Sequence, residues 1–243
     1  MAFTINTRTL TDTATKSVFM AFGIDSSPAA AASATIYDSS AATYALATLT
    51  LSAATSASDT FVIGEIVTAD SISMVVQNHI TGGTTMTVYR CTSGTDDTPL
   101  GWSGTTLPGT SEAIVGSISG THTVTTHSST TGTFNARTVQ INGVRWSVNG
   151  AESVKLQYGG TSTQDIGYFT GSGVWDYTNH VYPITMGSAT GGAAAGDILL
   201  STAAAGAQHD TITMMLEVKK LTGFNTPNYE NNLGNPYTLP GRY

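Results

Sequence analysis

The stretch "DTITMMLEVKK" at 210–220 constrains the fold more than any other part of the chain. Ile212, Met214, Leu216 and Val218 fall on one side of an extended backbone, and Thr211, Thr213, Met215, Glu217 and Lys219 fall on the other. Successive side chains of a strand point to opposite faces, so a period of two specifies a strand with one face buried. The alternation recurs in "ALATLTL" (45–51), "TMTVYR" (85–90), "RTVQING" (137–143) and "RWSV" (145–148). In "SVKLQYGG" (153–160) it places Val154, Leu156 and Tyr158 together. Thr, Val, Ile and Tyr fill these runs, and Gly, Ser, Asn and Asp bound them. The one Ala-rich helix candidate, "PAAAASATIYD" (28–38), is short, loaded with Ser and Thr, and lacks charged i,i+4 pairs. An all-β fold follows: an antiparallel β-sandwich of jelly-roll type.

A chain of 243 residues has room for one large all-β domain or two smaller ones. Residues 46–118 have a character of their own. Phe61, Val62 and Ile63 suggest a short entry strand, and Val75-Val76 should pair with the Met86/Val88 run across the Gly82-Gly83 turn. A Gly-, Pro- and Asp-rich stretch (92–111) reads as a loop. This predicts a small β-barrel-like module inserted into a main sandwich formed by 1–45 and 119–222. From 223 to 243 the chain changes again, with Pro at 227, 236 and 240 and aromatics at Phe224, Tyr229, Tyr237 and Tyr243. Proline fixes φ and removes a donor, so an extended arm is expected. Its aromatics, together with Leu239, are candidates for docking on this domain or on a neighbour.

Charge narrows the partners. The net charge is −7, only 10% of residues are charged, and no Lys/Arg cluster larger than Lys219-Lys220 occurs. Nucleic-acid binding needs clustered cations to replace counterions, so nucleic acid is not an expected partner. No run approaches 18 apolar residues, and the N-terminus lacks the charged and apolar regions of a signal peptide, which predicts synthesis in a cytoplasm and no membrane span. A Ser/Thr/Gly-rich surface with few long side chains loses little entropy when held against a permanent neighbour.

Catalytic patterns are missing. No G-x-S-x-G elbow precedes a helix. Cys91 stands alone and reads as a buried strand-end residue. His122 and His127 nominally match a zinc spacing, but their odd separation on a strand sends them to opposite faces. Asp96-Asp97 lie in no twelve-residue calcium loop. Neither a catalytic residue, a cofactor nor a bound metal is expected. The aromatics of 158–182 and Trp102 remain as a sugar-binding alternative.

Two patterns concern Trp175-Asp176. A propeller signature would recur every 40–45 residues, and it does not. The other carries a family resemblance. An Arg145-Trp146 strand, a G-x-G-x-W-D motif at Gly171, Gly173, Trp175 and Asp176, "GDILLST" (196–202) and "TITMMLEVKK" follow in order, after an opening "TINTRTLTDTATKSV" (4–18). Together they resemble tailed-bacteriophage virion structural proteins, notably those of viruses of marine cyanobacteria. The resemblance covers roughly residues 1–40 and 120–222. It implies a non-enzymatic virion component, most simply a capsid decoration or cement protein. Such a protein would bind the major capsid protein as a homo-oligomer, with a trimer favoured. Neck, tail or fibre placement is the alternative, and a carbohydrate-binding adhesin is the alternative of another class. In this setting Gly171, Gly173, Trp175 and Asp176 are expected to build a structural corner, the Trp packing an edge and the Asp capping the turn.

Overall fold

The computed structural model describes residues 4–24, 33–118, 130–149, 153–176, 184–185, 195–202 and 211–225. Among them no helix forms. In chain order the strands are β1 (Thr4–Asp12), β2 (Lys16–Ile24), β3 (Ser33–Tyr37), β4 (Leu46–Leu51), β5 (Ile66–Ala69) and β6 (Ile72–His79). Next come β7 (Thr85–Ser93), β8 (Asp96–Leu100), β9 (Val115–Gly116), β10 (Thr130–Phe134), β11 (Val139–Asn149) and β12 (Val154–Tyr158). The last are β13 (Gln164–Phe169), β14 (Gly171–Asp176), β15 (Ile184–Thr185), β16 (Ile198–Thr202) and β17 (Thr211–Lys220). They divide between two compact units, one built from 1–40 and 136–222, the other from 41–135 and 223–243.

Unit 1 is an antiparallel β-sandwich. Its larger sheet has the order β1-β2-β17-β11-β14, with β15 also on β11, and its smaller sheet the order β13-β12-β16-β3. At the centre, β17 pairs along nearly its whole length with both β2 and β11. Ile212, Met214, Leu216 and Val218 are buried, as the alternation predicts, and face a second layer of Val154, Leu156, Tyr158, Ile198 and Leu200. The rings of Phe19 and Tyr37 pack across the layers at 4.9 Å. The Tyr158 hydroxyl meets the backbone of Ile141, next to the bulge that shifts β11 against β17.

Alternation also carries Lys220 inward. Its side chain is fully buried, and its Nζ donates to Asp12 Oδ1 and to the Thr13 carbonyl, each at 2.7 Å. Asp12 accepts a second bond from the Ser17 hydroxyl at 2.5 Å. Burial pulls the Lys220 ammonium below the ordinary lysine range, and Asp12 works against that shift.

Unit 2 is a seven-stranded antiparallel sheet of order β10-β4-β7-β6-β5-β9, with β8 also on β7. The hairpin places Val76 opposite Val88, as expected. Four expectations change here. The path of pairs is open, so no barrel closes among the described residues. Residues 96–100, expected in a loop, form β8, which extends the edge of β7 beyond its pairing with β4. Residues 61–63 are not a strand; Phe61 is buried and Val62 and Ile63 face solvent. The unit also takes more chain than 46–118, because β10 pairs with β4 and because Gly223–Asn225 bonds back to Tyr44 and Leu46.

Removing Asp12 would leave Lys220 charged, buried and without its carboxylate. Asp12→Ala is expected to cost about 3 kcal/mol or more of unfolding free energy, read from urea denaturation. The double variant Asp12→Ala/Lys220→Met should recover a large part of that loss.

Candidate functional site

The G-x-G-x-W-D motif is a strand rather than a corner. Gly171 to Asp176 is β14, the outermost strand beside β11 on the larger sheet. The turn lies just before it: β13 ends at Phe169 in the smaller sheet, and only Thr170 separates it from β14 in the larger one. Gly171, with φ of +59°, takes the left-handed conformation at this sheet crossing.

The other glycine has a different task. Gly173 stands opposite Trp146, and a Cβ there would lie 2.3 Å from the indole ring. Trp146 therefore lies flat over the Gly173 backbone, an aromatic covering an edge glycine. Trp175 repeats the arrangement across the layers, its ring 2.9 Å from where a Cβ of Gly167 would sit. Trp146, Phe169 and Trp175 form a triangle, with centroids 5.0, 5.6 and 4.6 Å apart. The Trp146 indole N–H donates to the Thr170 carbonyl at 3.1 Å, which ties the crossing to the cluster. Such pairs add about 0.5–1.5 kcal/mol each beyond their buried area. Asp176 is exposed and faces Gly143. The aromatic cluster joins β11 and β14 of the larger sheet to β13 of the smaller one.

A second cluster is polar. The Asp197 carboxylate accepts the Ser39 N–H at 2.8 Å and the Ser39 hydroxyl at 2.7 Å, with Arg137 and Asp38 close by. Tyr37 lies within electrostatic reach of Asp197, Arg137 and Asp12. Burial pushes the Tyr37 phenol well above its ordinary range, and Asp12 adds to this. Burial also pushes Asp197 up to about 6, with the Ser39 bonds opposing and Asp38 reinforcing the shift. These groups sit in the unit's interior, with Ser39, Tyr37 and Arg137 almost fully enclosed.

The remaining candidates resolve one by one. Trp102 is buried in unit 2, donating to the Ala45 carbonyl at 2.9 Å and packing on Phe134, so it is core and not a glycan platform. Tyr158 and Phe169 are core as well, whereas Tyr168 is exposed beside Lys155 and Asp165. Cys91 is buried, and burial raises its thiol to about 11, far from a reactive thiolate. Asp96 accepts from the backbone and hydroxyl of Thr98, as a turn residue does. Among the described residues no three His, Cys, Asp or Glu side chains gather as a metal site. His122, His127, Tyr177 and Tyr182 lie outside the described residues, as do the arm positions Tyr229, Tyr237, Leu239 and Tyr243.

Phe224 needs correction as an arm residue. It is buried and bridges Ala45, while Asn225 donates to the Tyr44 carbonyl. It anchors the chain to unit 2 and cannot reach a partner.

No family model, curated protein or solved structure matches this chain. Its surfaces must speak for its role, and the most unusual is β1. Between Asn6 and Thr11 every side chain is exposed, on both faces of the strand. Among the described residues only β2 pairs with this strand. Thr7 and Thr9 stand opposite the buried Ala21 and Phe19 yet remain exposed to solvent. The one irregularity is a bulge between Thr9 and Thr11. Sequence reasoning missed this edge because pairing order, not local pattern, decides which strand is outermost. The Thr-rich, weakly apolar composition of 4–12 was the available signal.

Two variants probe these sites. Gly173→Ala is expected to lower stability by about 1–3 kcal/mol, since the Trp146 ring cannot retreat without displacing Phe169; chemical denaturation measures it. Asp197 has a folded value above its ordinary 3.8, so the stability it contributes is present below about 3.8 and lost as pH rises through about 6. Thermal midpoints taken across that window should fall more with rising pH in the wild type than in Asp197→Asn.

Proposed function

We propose that this chain is a non-enzymatic structural component of a tailed-phage particle, a decoration or cement protein seated on the major capsid lattice. The observation that carries this reading is β1, a nine-residue strand in which Asn6–Thr11 are exposed on both faces and, among the described residues, one edge is unpaired. An open edge is a template for an added strand, and proteins that act alone blunt theirs with charges, prolines or a covering loop. Here the edge has no proline, carries only Arg8 and Asp12 as charged side chains, and Asp12 is already committed to Lys220. Added strands are held by main-chain bonds, with specificity from alternate side chains. The segment 4–18, which resembles the opening of such virion proteins, covers β1, the turn after it and the first residues of β2.

The C-terminal residues supply the second attachment. Gly223–Asn225 fix the start of the tail to unit 2, and Tyr229, Tyr237, Leu239 and Tyr243 follow as anchoring side chains for a neighbouring subunit. Each anchor buried in a partner would contribute on the order of 1–3 kcal/mol.

Quantitative mass spectrometry and antibody labelling of purified particles test this. Hundreds of copies spread over the shell are expected. Deleting 226–243, which spares Phe224, should reduce occupancy without shifting the thermal midpoint of the free protein. Absence of the wild-type chain from particles would remove the reading, and a few copies at one vertex would move the protein to the neck or tail.

A further inference from the structure

The pairing register lines up side chains across the outer face of the larger sheet. Arg8, Met20, Met215, Arg145 and Val174 form one transverse row running from β1 to β14. Directly paired residues share a face, so these five look outward together. Phe22 lies in the row on one side, and Val18, Glu217 and Asp176 lie in the row on the other. Phe22 is 44%, Met215 37% and Val174 61% exposed. Exposed apolar side chains interspersed with cations are a composition suited to an interface, and methionine adapts readily to a facing surface.

The charge on this face runs against that of the chain. Four of the nine basic residues stand on it, Arg8, Lys16, Arg145 and Lys219, against the acids Glu217 and Asp176. Lys16 and Glu217 pair with each other at 2.9 Å. Arg8 and Arg145 make no ion pair among the described residues.

Unit 2 has the opposite character. It holds seven acidic residues and two basic ones, Arg90 and Arg242. Arg90 is occupied by the Gly101 carbonyl at 2.8 Å. Its exposed apolar residues are also gathered. The buried Glu65 carboxylate accepts the Val62 N–H at 2.9 Å and the Ile118 N–H at 3.3 Å, which draws Val62, Ile63 and Ile118 into one place. Ile118 is 58% exposed. Asp70, exposed in the β5–β6 turn, and Glu112 belong to the same unit.

We propose that the chain associates head to tail with a second copy of itself, the outer face of the larger sheet in one copy seating on the Val62–Ile118 surface of unit 2 in the next. Both surfaces carry exposed apolar side chains, and the face that holds Arg8, Lys16, Arg145 and Lys219 would meet a unit in which acids outnumber bases. Packing the sheet face against its own copy would instead oppose cations to cations. Joining two different surfaces is a heterologous contact, which closes into a ring when the rotation permits and otherwise continues as a filament. This association stands apart from the particle reading and is measurable without any virus.

Analytical ultracentrifugation of the full chain tests it. The wild type is expected above its 25.1 kDa monomer mass, shifting toward the monomer as salt is raised. Met215→Glu on the sheet face and Ile118→Lys on unit 2 should each sediment as monomers with unchanged thermal midpoints. Mixed together, they retain one intact surface each and should form a dimer of about twice the monomer mass, the signature of a heterologous contact. Arg145→Glu serves as the sheet-face variant if Met215→Glu lowers the midpoint. A wild type that is monomeric at every concentration overturns the proposal. So do variants that keep the wild-type mass, Ile118→Lys alone keeping it being the sign that the face packs on its own copy, and so does a mixture that stays monomeric.

Discussion

Unit 1 is organised around the pairing of β17 with β2 on one side and β11 on the other. These two ladders join the first strands of the chain to the last, and every other strand of the larger sheet is added outside them. The side chains that β17 turns inward form the floor on which the smaller sheet packs. Because a strand's period is two, slipping this register by one residue would expose Ile212, Met214, Leu216 and Val218 together. The cost of that slip, several fully buried apolar side chains at about 1.5–3 kcal/mol each, is what holds the pairing in place.

The same strand carries a buried cation. Lys220 follows Val218 on the inward face and is accommodated by Asp12, which reaches it from the end of β1. Beside them Arg137 and Asp197, with Asp38 close by, keep further ionisable groups inside the unit, and the phenol of Tyr37 stays neutral among them. Burying charge offers little net stability over an apolar equivalent. It does penalise any arrangement that separates the partners, and each partner here comes from a different stretch of sequence: the first hairpin, the segment after β3, the approach to β11 and the entry to β16. Apolar burial draws the layers together, and the ionic contacts then reject wrong alignments.

What could be read from sequence was what depends on local periodicity. The alternation in 210–220 identified both the strand and its faces, and extended by one step it also places Lys220 inward. The Val76–Val88 hairpin was equally legible, because its turn lies between its two strands. The Gly-Trp motif was recognisable as special but not as a strand. Its Gly173 answers to Trp146, about thirty residues earlier, and its Trp175 covers Gly167 in the other sheet, contacts that the motif by itself does not show. Phe224 looked like part of the arm because prolines follow it, whereas its partner Ala45 precedes it by most of the chain. The open edge of β1 and the mixed basic and apolar row both require strand order and register, so neither could be seen before the sheet was assembled.

The interleaving of the units has a consequence for how the molecule is made. Unit 1 needs residues 1–40 together with 136–222, and unit 2 needs 41–135 together with 223–225. Synthesis at about 5–20 residues per second puts roughly ten to forty seconds between the emergence of β2 and that of β17. For that interval β2 lacks the neighbour it will have on its inner side, with Phe19 and Ala21 waiting for their cover. A nascent chain in this state offers a sticky strand to its siblings on the same messenger. Protecting that strand falls to whatever shields nascent chains in the cell, and the demand is set by the connectivity rather than by the stability of the finished fold.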